Sequence, residues 1–73
     1  MIPMIDLRET GRNIERLRKG KGVSVRELQK IMGFTNPQSI YKWQKGECLP
    51  SIDNLVIMAS VLGVTVDEIL IVN

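Results

Sequence analysis

The spacing of apolar residues between Ser24 and Gly46 (SVRELQKIMGFTNPQSIYKWQKG) predicts two short helices joined by a tight turn. Val25, Leu28, Ile31 and Met32 recur at helical intervals, and Ile40 and Trp43 mark a narrow apolar face on a second helix. The polar residues between them supply the punctuation. Ser24 with Glu27 three positions on forms a capping-box pattern, and Val23 with Leu28 stands as a hydrophobic staple. Gly33 occupies the place of a left-handed stop. Asn36 suits an N-cap and Pro37 the first helical position, where its missing N–H costs nothing. Two helices around a short Gly-containing turn make a helix-turn-helix pattern.

The same grammar extends in both directions. Asp6 and Glu9 repeat the capping-box pattern and predict a first helix with Leu7, Ile14 and Leu17 inward and Arg8, Arg12, Arg16 and Lys19 around the outside. Glu15 and Lys19 form an i,i+4 pair, and Gly20 and Gly22 end the helix. Ser51 caps a fourth helix with the stripe Ile52, Leu55, Val56, Ala59 and Leu62. Ile57, Met58 and Val61 lie off that stripe, so this helix is apolar on more than one side, as a subunit interface or cover from the apolar termini would require. Gly63 stops it. Thr65 and Glu68 then start a last short helix with the phrasing already used at Ser24 and Glu27. The predicted helices span 7–19, 25–32, 37–45, 52–62 and 66–70 in one domain of 73 residues. The leader MIPMI, from Met1 to Ile5, reads as an arm, a strand or a flap over the core, with packing favoured over function. Ile71 and Val72 leave an apolar end suited to docking or self-association.

Composition narrows the possible functions. A chain of 73 residues with a 44% apolar fraction holds one modest core, but not a scaffold plus a buried catalytic cleft. There is no histidine, no metal-ligand spacing, no glycine-rich phosphate loop and no paired nucleophile and base, so an enzyme is not expected, nor any cofactor, metal or small-molecule substrate. No run approaches the roughly 20 apolar residues of a membrane span, and Met1 to Ile5 lacks the form of a signal peptide. The single cysteine, Cys48, fits a reducing cytoplasm and has no histidine to activate it. Charge is divided along the chain: ten Lys or Arg against four acids up to Gly46, then four acids and no base. That asymmetry suits an anionic partner for the N-terminal part, and phosphate is the obvious candidate, although charged helices also serve solubility.

The second helix of the motif offers Gln38, Ser39, Tyr41, Lys42, Gln44 and Lys45 outward, rich in donors and free of carboxylates. Gln can bond an adenine edge bidentately, and Lys can donate to guanine O6 and N7. Nine residues at about 1.5 Å each give roughly 13 Å of helix, short enough for a major groove about 12 Å wide. A merely solvated face would look similar in isolation. The surrounding helix-turn-helix favours the reading of double-stranded DNA.

In their order, IERLRKGKG, VSVRELQKIMGF, IYKWQKGECLPS and NLVIMASVLGVTVDEIL resemble the Cro and lambda-repressor type of helix-turn-helix regulator, the XRE family, over most of the chain. The resemblance implies an all-α, compact five-helix bundle whose third helix enters the major groove, with dimers on two-fold symmetric operators. It places Gln38, Ser39 and Lys42 at base-facing sites, with Asn36 and Tyr41 flanking. Lys45 and Gly46 match the loop near phosphate, with Arg12 and Arg26 as bases from the first two helices. The expected protein is a transcriptional repressor, homodimeric through its C-terminal helices. Three positions depart from the family pattern: Val25 stands where a phosphate-binding Gln is frequent, Gln29 where a small residue is usual, and Gln44 where a Glu would pair with the position of Arg18. An Arg18–Gln44 hydrogen bond would replace that ion pair. The turn from Phe34 to Pro37 is one residue longer than in the shortest members. The apolar last helices also suit a protein-interaction module, such as an antitoxin-like or adaptor domain.

Overall fold

The structure is a computed structural model and describes residues 2–73; Met1 falls outside them. Five helices follow one another: α1 (Leu7–Lys21), α2 (Val25–Met32), α3 (Gln38–Gln44), α4 (Ile52–Leu62) and α5 (Val66–Ile69). The local signals explain most of the boundaries. Ser24 and Thr65 each close a complete capping box, with Glu27 and Glu68 returning to the cap N–H. Asp6 caps α1 through the Glu9 N–H, but the Glu9 carboxylate turns to Arg12 instead of closing a box. Gly20 does not end α1. The helix runs on to Lys21 and stops at Gly22.

The start of α3 also differs from the sequence expectation. Pro37 is the N-cap and α3 begins at Gln38, while Asn36 lies one residue further out. The Asn36 Oδ1 still accepts the Gln38 N–H at 3.0 Å, so the cap operates from an adjacent position. The helix ends at Gln44, making it seven residues long and about 10 Å in length.

The core is formed by Ile14, Leu28, Ile40, Trp43, Leu55, Met58, Ala59, Leu62 and Ile69, which draws on all five helices. Complete burial of such a side chain contributes about 1.5–3 kcal/mol. Some predicted inward residues point out. Leu7 and Ile31 are exposed, and on α4 Ile52 is 79% and Val56 56% exposed, while Met58 is fully buried. The inner face of α4 is therefore Leu55, Met58, Ala59 and Leu62, rotated from the predicted stripe.

The two ends of the chain meet on one side of α1. Ile5 and Val72 form an isolated antiparallel bridge, flanked by bonds from Asp6 N–H to the Ile71 carbonyl and from Asn73 N–H to the Met4 carbonyl, both 2.8 Å. Of the alternatives for the leader, Ile5 thus takes extended pairing. Two buried polar residues of α1 hold this strap. The Thr10 hydroxyl accepts the Ile71 N–H at 3.0 Å, and the Asn13 amide donates to the Glu68 and Ile69 carbonyls at 2.8 and 2.9 Å. These bonds satisfy backbone groups at the end of α5 that the short helix cannot satisfy itself.

On the other side of α1, α3 comes into backbone contact. A Cβ at Gly11 would collide with the Trp43 carbonyl oxygen and lie 2.7 Å from that of Gln44. Gly20, on the same helix, faces open space. Gly11→Ala is therefore expected to destabilise the fold by roughly 1–3 kcal/mol. Gly20→Ala should stabilise it by about 0.5–1 kcal/mol, because only helix propensity changes there. Urea denaturation of both variants would measure the contrast.

Candidate nucleic-acid interface

The seat of α3 determines what its outer face presents. Ile40 and Trp43 are buried beneath it, and the Trp43 ring meets Phe34 of the turn edge-on, with centroids 5.8 Å apart at 67°. An aromatic pair of this kind is worth about 0.5–1.5 kcal/mol beyond its burial. It pins the turn to the inner side of α3. Beside Trp43, Arg18 Nε donates to Gln44 Oε1 at 3.0 Å and Nη1 to the Val23 carbonyl at 2.9 Å. The hydrogen bond expected in place of an ion pair is present, and it also ties the α1–α2 loop to α3.

With the inner face fixed, Gln38, Ser39, Tyr41, Lys42 and Lys45 are all exposed. At about 100° per residue, Gln38, Lys42 and Lys45 fall within roughly 60° of one another, with Ser39 and Tyr41 on either flank. Asn36 is exposed beside them and shares a shallow hollow in the turn with Gly33, Phe34, Thr35 and Ser39. Its Oδ1 accepts the Gln38 N–H, leaving the NH₂ and one oxygen lone pair for a ligand. No acidic residue lies within α3 or the turn before it.

The loop after α3 is held by Gly46, which has φ +76° and sits against the first turn of α1. A Cβ there would lie 2.7 Å from the Arg8 Cα. Lys45 and Gly46 therefore adjoin Arg8, an exposed base that sequence reading did not single out for this site. Arg12 is placed differently. It lies about 100° around α1 from Gly11, bonds Glu9 at 3.0 Å, and lines a hollow with Asn13, Arg16 and Ile71 beside the terminal strap. Arg26 is exposed in the first turn of α2. The ion pairs among the described residues are Arg12–Glu9 and Lys19–Glu15, so Arg8, Arg26, Lys42 and Lys45 carry charges that no carboxylate neutralises by contact. The same residues show no group of three or more His, Cys, Asp or Glu able to hold a metal ion, and no helix long and apolar enough to cross a membrane.

A family model described as Helix-turn-helix matches residues 14–69, from the middle of α1 to the end of α5. The chain belongs to the XRE-type helix-turn-helix family. Among solved structures, this helix-turn-helix protein resembles the restriction-modification controller protein C.AhdI from Aeromonas hydrophila, with a TM-score of 0.77 and 25% identity over 88% of this chain and 96% of that one. It also shares the fold of the clp gene regulator ClgR from C. glutamicum, with a TM-score of 0.72 and 24% identity over 85% and 79% of the two chains. No curated protein sequence matches. The architecture is that of lambda-repressor-like DNA-binding transcription regulators, a family of regulators and not of enzymes.

The electrostatics of the motif contain one acid-sensitive group. Hydrogen bonds from the Ser24 backbone and side chain, aided by nearby Lys30, hold the Glu27 carboxyl below its ordinary value of 4.5. A lowered folded value means that Glu27 contributes stability above 4.5 and loses it as the pH falls through the lowered value. Glu27→Gln should lower Tm at neutral pH, with the gap to the parent closing on acidification. A pH series of thermal melts on both proteins would test this.

Proposed function

We propose that this protein is a sequence-specific double-stranded DNA-binding regulator, acting as a homodimeric transcriptional repressor on a two-fold symmetric operator in the cytoplasm. The observation that carries the reading is the outer face of α3. Gln38, Ser39 and Lys42 stand exposed on a helix fixed from behind, in a helix-turn-helix chain, with no acid in α3 or the turn before it. In this reading Gln38 and Lys42 read base edges in the major groove, Ser39, Asn36 and Tyr41 contact its margins, and Lys45, the Gly46 backbone and Arg26 bind phosphates. Arg8 joins the phosphate set through its place beside Gly46, and Arg12, paired with Glu9, is the weaker contributor from α1. The protein needs no cofactor and catalyses no reaction.

These roles separate in a binding experiment. Gln38→Ala should relax preference at one base pair and cost roughly 1–3 kcal/mol on the preferred site. Lys45→Ala should weaken every duplex similarly and lower the salt slope by about one. Selection from a random duplex pool, followed by salt titrations of the selected site, measures both. Equal binding of every duplex by parent and variants would remove the assigned roles.

The outer side of α4 supports dimer formation. Ile52, Val56 and Ile57 are exposed there, a set of apolar side chains that a monomer leaves in water. Val56→Glu should shift the protein to monomer in sedimentation, with the selected inverted repeat, half-sites about 34 Å apart, bound much more weakly. The same apolar face favours the second reading, an antitoxin-like or adaptor module that binds protein alone. Such a module would have negligible affinity for mixed genomic DNA even at low ionic strength.

A further inference from the structure

We propose that Arg18 is a source of uncompensated positive charge behind α3, and that Gln44 is a positioning residue which holds this cation without neutralising it. The inference rests on the DNA-binding reading above. Arg18 is only 7% exposed, and its recorded partners are the Gln44 side-chain amide oxygen and the Val23 carbonyl, both uncharged. No carboxylate comes within the 4.0 Å of a salt bridge, since the ion pairs among the described residues involve other side chains.

Dipoles, not ions, stabilise this cation. Arg18 lies in the last turn of α1, where the helix carries the negative end of its macrodipole. The Val23 carbonyl and the Gln44 amide complete its surroundings. A guanidinium keeps its charge in proteins, so the contact that Arg18 makes with the α1–α2 loop and α3 carries a full positive charge. Protein covers that charge, and salt screens it less than it screens Lys42 or Lys45 in solvent. A carboxylate at position 44 would make a similar contact and cancel the field beyond a few ångströms. The amide supplies the contact alone. Seat and charge are thus separable functions of one hydrogen bond, and the phosphates of a duplex against α3 are the partner that would sense the difference.

Gln44→Glu tests the proposal, because its two effects should have opposite signs. The new ion pair should raise Tm. The affinity for the selected duplex should fall roughly threefold to tenfold, the scale of one charge acting across about 10 Å at an intermediate effective dielectric, and the salt slope should become shallower. Asn73→Asp removes the same formal charge on the strap, on the Thr10–Asn13 side of α1, and should bind nearly as the parent does. Gln44→Met removes the acceptor without adding charge. It should lower Tm while keeping the parental salt slope, which also provides a reading if the Glu variant folds poorly. A purely structural Gln44 would move Tm alone. Parental affinity and salt slope in Gln44→Glu, or an equal loss in Asn73→Asp, would overturn the inference. Failure of the parent to bind any duplex at low salt would instead overturn the DNA-binding reading, so the two failures are distinct.

Discussion

The distance between α1 and α3 is the constraint on which the rest of the molecule depends. At Gly11 the carbonyls of Trp43 and Gln44 approach so closely that no side chain fits between the helices. This approach brings Gln44 to Arg18 and seats Gly46 on the first turn of α1. It also decides which side of α3 faces water. A seven-residue helix has too few hydrogen bonds to be stable alone, so its orientation must come from packing. Ile40 and Trp43 provide that packing from below, and Phe34 on Trp43 and Arg18 on Gln44 restrain its C-terminal end.

Local grammar was legible in the sequence, and relations between distant segments were less so. The capping boxes at Ser24 and Thr65 could be read directly because each involves residues three apart. The order of helices follows from the same local signals, while the Arg18–Gln44 contact rests on the resemblance to XRE-type regulators. The orientation of α4 was misread because that helix has apolar residues nearly all round: periodicity offered Ile52 and Val56 as readily as Met58, and only the neighbouring helices decide among them. Leu7 shares the helical period of Ile14, but in the first turn of α1 it stays exposed.

The candidate site was divided along similar lines. Gln38, Ser39, Lys42 and Lys45 were legible because Ile40 and Trp43 identify the opposite face of α3. Nothing in the sequence warrants choosing Arg12 over Arg8, since all the bases of α1 look alike until the side that receives α3 is known. The glycine that selects that side was itself a silent position, with no apolar or charged side chain to mark it. Pro37 set the other limit. Its suitability for the first helical position obscured the fact that the Asn36 side chain can cap from one residue further out.

Thr10 and Asn13 have a consequence for how the molecule forms. They lie within α1, yet the partners of the Thr10 hydroxyl and of the Asn13 NH₂ are 55 to 61 residues away. The opening helix therefore has buried polar groups that nothing near it in sequence completes. During synthesis α1 emerges well before residues 68–71, and its finished form must wait for them. Coupling segments so far apart in sequence leaves little room for partly assembled forms, and unfolding of the bundle should be all-or-none.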